Sequence, residues 1–315
     1  MFLVFGESLI DMVAGPTGDF TPVPGGGPYN FARALALQGV AAGYLNPFSE
    51  DAFGQLLKTT LEVAGARHLG RTSHKPTSLA LVATDAQGQP QYSFYRDNVA
   101  DRDIDADFIL ANAGAEVTGF HSGTLALVPP DDRHVLRALQ HFRGRGVLCT
   151  LDVNMRPQVA GSMGIDMERY RAGAFEAVAN ADVIKVSDED LHHLGLNAAP
   201  QAGAQALLER GCRLVVVTLG AQGAWAIDAR HRLHQPALPV RAVDTVGAGD
   251  CFFAGFIASL ERQGALADLR RRGLTAEALA SALRHAAVCA AINISRKGCQ
   301  PPTWEEAARW RPNAT

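Results

Sequence analysis

Short apolar runs alternate with longer amphipathic segments along most of this sequence, and that alternation restricts the fold more than any other feature. The apolar runs are rich in β-branched residues, as is typical of strands buried on both faces of a sheet. They span residues 2–5, 146–153, 181–187 and 214–220. The amphipathic segments have apolar residues at helical spacing and span residues 131–143, 169–180 and 200–211. Such alternation predicts an α/β fold, a layered domain with a mostly parallel central sheet and helices on both faces.

Two segments interrupt the alternation. Residues 11–26 and 77–100 contain the short alternating runs that are typical of hairpins. In the second segment, two such runs flank the turn-rich residues 85–88. The pattern is equally consistent with a small second sheet outside the main one and with two surface hairpins that have no function.

Composition excludes several classes of function. The 315 residues are 47% hydrophobic and 19% charged, which provides enough apolar material for a buried core. With 29 Lys and Arg against 32 Asp and Glu, the net charge is −3, so we expect no broad basic face and no nucleic-acid partner. The 5 cysteines are widely spaced and odd in number, which predicts free thiols in a reducing compartment.

The beginning of the sequence, MFLVFGESLI, is apolar only briefly and has no basic segment before it. This pattern predicts a buried strand rather than a signal peptide. No apolar run approaches the roughly 18 residues that a membrane span requires. We therefore expect a cytoplasmic protein that acts on a small molecule and has no membrane partner.

The most informative segment is AVDTVGAGDCFFAGFIASLERQG, residues 242–264. Gly247, Ala248 and Gly249 have almost no side-chain bulk, and the apolar run that follows predicts a helix. Uncovered N–H groups at such a helix start, together with the helix dipole, form a site for a phosphate or a developing negative charge. Asp250 comes directly after this turn. Its carboxylate either complements the dipole or removes a proton from a hydroxyl that attacks a phosphate, and the spacing leaves both roles open.

A second glycine-rich segment, PGGGPYNFARALALQG, spans residues 24–39. Three glycines precede Asn30 and an amphipathic helix. Glycines let a ligand approach the backbone closely, and an Asn amide can both donate to and accept from a hydroxyl. A flexible turn before an ordinary helix explains the pattern equally well.

Other well-known motifs are missing from the sequence. None of the lysines follows a glycine, which excludes a Walker A loop, and neither glycine cluster completes a GxGxxG fingerprint. The protein-kinase sequences HRD and DFG are also missing. The His192-His193 and His231/His234 pairs have no partners at metal-ligand spacing, so we expect solvated or core histidines. Cys251 has no basic neighbour to activate its thiol and is expected to be a small core residue.

Together, the two glycine-rich segments resemble the two signatures of the PfkB (ribokinase-like) family of carbohydrate kinases. The resemblance covers the whole chain, because other family segments follow in order. These are GESLIDM (6–12), SFYRDNVADR (93–102), DVNMR (152–156), KVSDEDL (185–191), VTLGAQGA (217–224) and ISRKGCQ (294–300). The resemblance implies a single ribokinase-like α/β/α domain over residues 1–315, in which the segments 11–26 and 77–100 form a small β-sheet lid.

The resemblance implies ATP-dependent phosphorylation of a sugar hydroxyl. In this family the aspartate at the position of Asp250 is the general base, and the backbone of Gly247, Ala248 and Gly249 forms the anion hole. The implied sugar-binding residues are Asp11, Gly26, Gly27, Asn30, Arg96, Asn154 and Arg156. The implied nucleotide-binding residues are Lys185, Ser187, Thr218, Gly220, Gly223 and Asn293.

The resemblance also implies cations and a possible assembly. Mg²⁺ would bridge the β- and γ-phosphates, and a monovalent cation such as K⁺ would lie near Asp244, Val246 and Gly298. The family's NxxE element is replaced here by residues 187–190, so Asp190 is the candidate to hold Mg²⁺ through water. The usual GxDxFG segment reads NPFSEDAFG at 46–54, which predicts a different local backbone. A homodimer through the lid is a further implication.

Substrate choice rests on two of the family segments. SFYRDNVADR and KVSDEDL are most similar to bacterial fructokinases, so phosphorylation of D-fructose to fructose 6-phosphate is the expected reaction. A 2-keto-3-deoxygluconate kinase or another PfkB sugar kinase is the alternative, because Arg96 suits a carboxylate as well as a hydroxyl. A purine-nucleoside kinase would need an aromatic cluster for a second base, which we do not find. A catalytically inactive sugar or nucleotide sensor is the non-enzyme alternative, and the intact Asp250 turn argues against it.

Overall fold

The alternating pattern of the sequence becomes alternating strands and helices in the computed structural model, which describes residues 1–15, 18–84, 90–196 and 199–311. The strands in chain order are β1 (Phe2–Val4), β2 (Leu9–Ala14), β3 (Phe20–Gly25), β4 (Ala42–Tyr44), β5 (Phe48–Ser49), β6 (Arg67–His68), β7 (Thr72–Ser73), β8 (Ser78–Thr84), β9 (Pro90–Tyr95), β10 (Gly119–Gly123), β11 (Leu148–Asp152), β12 (Val183–Ser187), β13 (Leu214–Thr218), β14 (Ala224–Asp228) and β15 (Arg232–Gln235). The helices are α1 (Gly27–Leu37), α2 (Ala52–Val63), α3 (Ala106–Ala111), α4 (Asp132–Gly144), α5 (Pro157–Ser162), α6 (Met167–Asn180), α7 (Asp188–His193), α8 (Pro200–Leu208), α9 (Ala248–Arg262), α10 (Leu266–Leu269), α11 (Ala276–Ile294) and α12 (Trp304–Arg309).

Within the described residues, the main sheet has nine strands in the order β15-β14-β13-β12-β11-β10-β1-β4-β6. Its neighbours pair in parallel from β13 to β6, and β14 and β15 add antiparallel pairs at one edge. Strand β11 is buried along its whole length, as its apolar run predicts. Strand β10 is equally buried, although its sequence GFHSG has no apolar run and was not predicted as a strand. The expectation of a mostly parallel α/β sheet is confirmed.

Successive residues of the central strands point to opposite faces, so each face of the sheet has its own core. Phe2 and Val4 of β1 pack in one core with α1, α9 and α11, whereas Leu3 between them packs in the other with α4, α6 and α8. The result is the layered α/β/α arrangement that the sequence predicts. None of the helices in the described ranges is long and apolar enough to span a bilayer.

The two irregular segments pair with each other in a separate sheet in the order β3-β2-β8-β9. Each segment supplies an antiparallel hairpin, and the parallel pairing of β2 with β8 joins the two hairpins. Of the two interpretations open from sequence, the small second sheet is therefore confirmed. The turn predicted at residues 85–88 lies outside the described residues.

Candidate active site

The start of α9 is a turn of backbone amides, in which Ala248 N donates to Thr245 O at 3.2 Å and the described residues offer no acceptor to the amides of Gly247 and Gly249. Gly247, the residue before the helix, has a left-handed φ of 71°, and no side chain caps the helix. A Cβ at Gly247 would overlap Cys299 Sγ, so glycine is required there by both conformation and space. Residues 247–249 are partly exposed, which leaves the amide turn accessible to an anion at the positive end of the helix dipole.

Asp250 lies in the first turn of α9 and is 9% exposed. Asn30 of α1 donates from Nδ2 to Asp250 Oδ2 at 3.0 Å. Burial, helped by the charge of Asp152, raises the pKa of Asp250 to about 7, while the Asn30 hydrogen bond and the charges of Lys185 and Arg156 act to lower it. A carboxylate with a pKa near 7 is suited to accept a proton at neutral pH.

Behind the amide turn lies a buried ion pair. Lys185 Nζ is 2.9 Å and 3.0 Å from the two oxygens of Asp152, and both side chains are about 5% exposed. A Cβ at Gly249 would lie 3.2 Å from Lys185 Nζ, so this glycine allows the ammonium to approach the turn. The pair places a positive charge under the anion site, and Asp152 offsets that charge.

On the side of the small sheet, Asp11 of β2 faces the same cleft. Burial raises the pKa of Asp11 to about 6, opposed mainly by the charge of Arg156. The Arg156 charge also acts on Asp250, so this guanidinium is near enough to influence both carboxyl groups. Gly26, with φ 110°, precedes α1, and Asn30 N–H donates to its carbonyl at 2.8 Å. The predicted sugar-side residues Asp11, Gly26, Asn30 and Arg156 are thus brought together.

The carboxyl ends of β10 and β11 meet the start of α1. Asn154 Nδ2 donates to Thr124 Oγ1 at 3.2 Å, and both residues have positive φ, 34° and 55°. A Cβ at Gly27 would overlap Thr124 Oγ1, so this glycine allows the strand end and the helix start to touch. Gly27 and Asn154 therefore border the same end of the sheet as Asp250.

Arg96 is in a different environment from the one that the sequence suggests. Its side chain is 10% exposed, and Nη2 donates to Asp101 Oδ2 at 2.9 Å. Ser78 donates to the other oxygen of Asp101. The guanidinium is therefore held in a buried ion pair instead of extending from the small sheet as a free cation.

The predicted nucleotide residues fall into an exposed and a buried group. Thr218 ends β13, and Gly220 and Gly223 both have positive φ in the exposed turn that follows. Asn293, in contrast, is fully buried: its Nδ2 donates to Val246 O at 2.8 Å, and its Oδ1 accepts from Gln300 N at 2.8 Å. Lys185 is buried as well, and its ammonium group is paired with Asp152.

The three residues predicted to surround a monovalent cation form one loop cluster. Asp244 accepts from Val246 N at 3.0 Å through Oδ1 and from Gly298 N at 2.8 Å through Oδ2. The carboxylate therefore brings the loop before α9 to the loop after α11. The cluster adjoins the amide turn, because Val246 directly precedes Gly247. The Val246 carbonyl accepts from Asn293 Nδ2.

Asp190, the candidate for Mg²⁺, also has a structural role. Its oxygens accept from Met155 N and from Ser187 N, each at 2.7 Å, and Ser187 Oγ accepts from Asp190 N to complete a capping box on α7. Asp188 and Glu189 are exposed. In the described part of the chain, no three His, Cys, Asp or Glu side chains are grouped to hold a metal directly.

Three residues at the site were not singled out from sequence: Glu7, Thr124 and Asp152. Asp152 and Glu7 lie in the family segments DVNMR and GESLIDM, each close to the end of a predicted buried strand. An acidic residue at such a position was the sequence signal for a functional role. Thr124 has no comparable signal, because only its left-handed backbone and its contact with Gly27 mark it.

A carboxylate placed to take a proton, next to amides placed to hold a phosphoryl group, is the arrangement of an enzyme that phosphorylates alcohols. The chain belongs to the PfkB family of carbohydrate kinases, because the pfkB family carbohydrate kinase model matches residues 2–306. It is 33% identical over 285 residues to a fructokinase of Rhizobium leguminosarum bv. trifolii, covering 89% of this chain and 85% of the relative. It is 30% identical to fructokinase-2 of Oryza sativa, covering 94% and 89%.

Solved structures give the same family of neighbours. A fructokinase from Xylella fastidiosa with bound ATP superposes with a TM-score of 0.87 at 27% identity, covering 98% of this chain and 96% of that one. An E. coli protein provisionally assigned as ribokinase II, in complex with ATP and Mg²⁺, gives 0.80 at 25% identity, covering 98% and 97%. The chain is therefore a carbohydrate kinase with a ribokinase-like fold, and its relatives include fructokinases.

Proposed function

We propose that this kinase transfers the γ-phosphoryl group of ATP to D-fructose, forming fructose 6-phosphate. The observation that carries the proposal is the hydrogen bond of Asn30 to Asp250, 3.0 Å long, at the open start of α9. This hydrogen bond joins Asn30, in the first turn of α1, to the proposed base beside the anion site. The names of the relatives, which are fructokinases, support fructose as the sugar.

In the proposed reaction Asp250 accepts the proton of the attacking sugar hydroxyl while the amides of Gly247, Ala248 and Gly249 hold oxygens of the transferred phosphoryl group. The base and the amides belong to one helix turn, so the acceptor and the phosphoryl group are oriented by the same element. Mg²⁺ supplies charge neutralisation at the phosphates, and we assign Asp190 to hold it through water.

We propose that the sugar lies between the small sheet and the main sheet. Asp11, Asn30 and Arg156 would bind its hydroxyls. The backbone of Gly26, Gly27 and Asn154 would form one wall of the sugar pocket. The charge of Arg156 acts on the Asp11 carboxyl group to lower its pKa, which supports a common site for these two residues. The small sheet would close over the sugar as a lid of a single kinase domain.

For the nucleotide, Thr218, Gly220 and Gly223 form the proposed contact surface because their turn is accessible. We assign Lys185, Ser187 and Asn293 supporting roles at the same site, since their polar groups already bind Asp152, Asp190 and the loop at Val246. The Asp244, Val246 and Gly298 cluster is the proposed K⁺ site.

Arg96 favours a neutral sugar over a keto acid. Its charge is already paired with Asp101 in a buried environment, and Glu7 lies nearby. Using that charge for a substrate carboxylate would leave Asp101 buried without its partner, which is costly. This is the reason to place 2-keto-3-deoxygluconate second.

The outer face of the small sheet supports a proposed homodimer. Phe20 of β3 and Tyr95 of β9 are 43% and 58% exposed, and they lie on the two edge strands. Apolar side chains at sheet edges are suited to a second copy of the same surface. A cytoplasmic location is our proposal from the five cysteines, all free and buried.

The test is an ADP-release assay of the purified wild-type protein with ATP and Mg²⁺ against fructose, ribose, 2-keto-3-deoxygluconate and adenosine. We expect the highest kcat/KM with fructose. A higher kcat/KM with the keto acid would overturn the fructose assignment. Sugar and ATP binding by calorimetry without ADP release would make the protein a sensor and overturn the catalytic assignment.

A further inference from the structure

A buried acid lies directly under Gly26 and Gly27, at the start of α1. Glu7 follows β1, is 2% exposed, and accepts from Gly27 N through Oε1 at 2.9 Å. A Cβ at Gly26 would overlap the Glu7 carbonyl oxygen, so the backbones of the two segments are in contact. Burying a carboxyl group costs free energy, and one hydrogen bond to an amide recovers only part of that cost.

The second oxygen of Glu7, Oε2, is buried as well. Among the described residues Oε2 has no hydrogen-bond partner, and the same is true of Arg96 Nε. Both residues line one cavity of about 20 Å³, which has room for a single bridging water. Burial raises the pKa of Glu7 to about 8 despite the nearby Arg96 charge. The neutral carboxyl group can therefore accept at Gly27 and donate into the cavity.

Arg96 is itself tied to the rest of the fold on the other side of the cavity. It follows β9 and pairs with Asp101. Its carbonyl accepts from Arg102 Nη1 at 3.0 Å, and Arg102 forms a two-point ion pair with Asp131 at 2.7 Å and 2.9 Å. Arg96, at the end of the small sheet, thus borders the polar cavity, and Glu7 connects that cavity to the Gly27 amide at the start of α1.

We propose that Glu7 is a positioning residue for sugar binding, which holds the loop at Gly26 and Gly27 in register with Arg96 at the end of the small sheet. The proposal rests on the sugar site assigned under the proposed function. Glu7 would not touch the reacting atoms. It would fix the start of α1, and so the direction in which Asn30 reaches Asp250.

The experiment compares Glu7→Ala and Glu7→Gln with wild type. In Glu7→Ala the Gly27 amide has no acceptor, so we expect the KM for fructose to rise about ten-fold or more while the KM for ATP stays within about two-fold. The amide oxygen of Glu7→Gln still accepts from Gly27, so that variant should recover most of the loss. Equal increases in both KM values, or a Gln variant as impaired as Ala, would overturn the proposal.

A matched control separates positioning from stability. Asp182 is equally buried but directly precedes β12, so it lies at the amino ends of the parallel strands, away from the end where Glu7 follows β1, and there it binds Arg270 and Cys149 N. Asp182→Ala should lower the melting temperature without raising the fructose KM selectively. A selective rise in the fructose KM for both variants would count against a specific role of Glu7.

Two further measurements complete the test. In a double-mutant cycle, Glu7→Ala and Arg96→Ala should be less than additive on the fructose KM, because they break one linkage, and strict additivity would overturn it. Hydrogen exchange without sugar should be faster over residues 26–31 in Glu7→Ala than in Asp182→Ala, and equal rates would also overturn it. Exchange needs no substrate, so a wild type inactive on every sugar would refute the proposed function and leave the role of Glu7 decidable.

Discussion

Asp250 is the residue on which the proposed chemistry depends, and its replacement gives the first prediction. Asp250→Asn keeps the size of the side chain and an acceptor for Asn30 but cannot take a proton. We expect kcat to fall by about 10²–10⁴-fold, with nucleotide affinity unchanged because the backbone amides remain. Turnover and ATP binding measured on the same folded variant check this. A variant that keeps more than half its turnover would contradict the role as base.

The pH dependence of the wild type follows from the same residue. A base must be ionised, so kcat/KM should rise as pH increases through the pKa of about 7 held by burial of Asp250. Stability has the opposite sign: the folded pKa of Asp250 lies above its ordinary value of 3.8, so ionisation destabilises the fold as pH rises between about 4 and 7. Asp11, with its pKa of about 6, titrates nearby, and an Asp11→Asn profile distinguishes the two. A rate that is flat between pH 5 and 8 would refute this assignment.

At the scale of elements, the start of α9 depends on glycine for two separate reasons. Gly247 and Gly264 flank the helix with similar left-handed φ values, 71° and 66°, but only a Cβ at Gly247 meets another side chain. Gly264→Ala should cost about 1 kcal/mol for conformation alone. Gly247→Ala should cost about 1–3 kcal/mol more from overpacking against Cys299, and should also raise the KM for ATP.

The matched pair makes this prediction specific. Chemical denaturation gives the two free energies of unfolding, and steady-state kinetics gives the KM values. Equal losses of stability would show that Cys299 yields to the new methyl group. A change in the ATP KM in Gly264→Ala would show that the helix transmits strain from either end.

At the scale of the whole molecule, the small sheet is expected to close on the sugar. Strands β2, β3, β8 and β9 lie outside the main sheet. Because the β2–β8 pairing joins the two hairpins into one sheet, we expect the four strands to move together. Saturating fructose should slow hydrogen exchange in these strands while β15, at the far edge of the main sheet, stays unchanged. Protection that does not change in any of the four strands would exclude a closing lid.

Much of this architecture is predictable because its causes are local. Continuous apolar runs such as that of β13 predict buried strands, and the resemblance to a known family orders them. Site residues that adjoin in sequence, Gly247 to Asp250, are predictable for the same reason. Arg96 shows the limit: the family resemblance implies a sugar-binding role, but its buried ion pair with Asp101 and its proximity to Glu7 arise only on folding.

The sequence by itself determined the α/β layering, the strand-forming segments of the small sheet, and the amide turn that precedes Asp250. Each of these depends on periodicity or on adjacent residues. The tertiary structure alone decided the electrostatics of the site. Asn30 donates a hydrogen bond to Asp250, which is 220 positions away in the sequence, and Glu7 accepts one from the Gly27 amide, which is 20 positions away. Lys185 comes from β12 to lie under Gly249. The physical reason is that burial and charge proximity, which set the pKa of each carboxyl group, are properties of packed neighbours and not of the local chain.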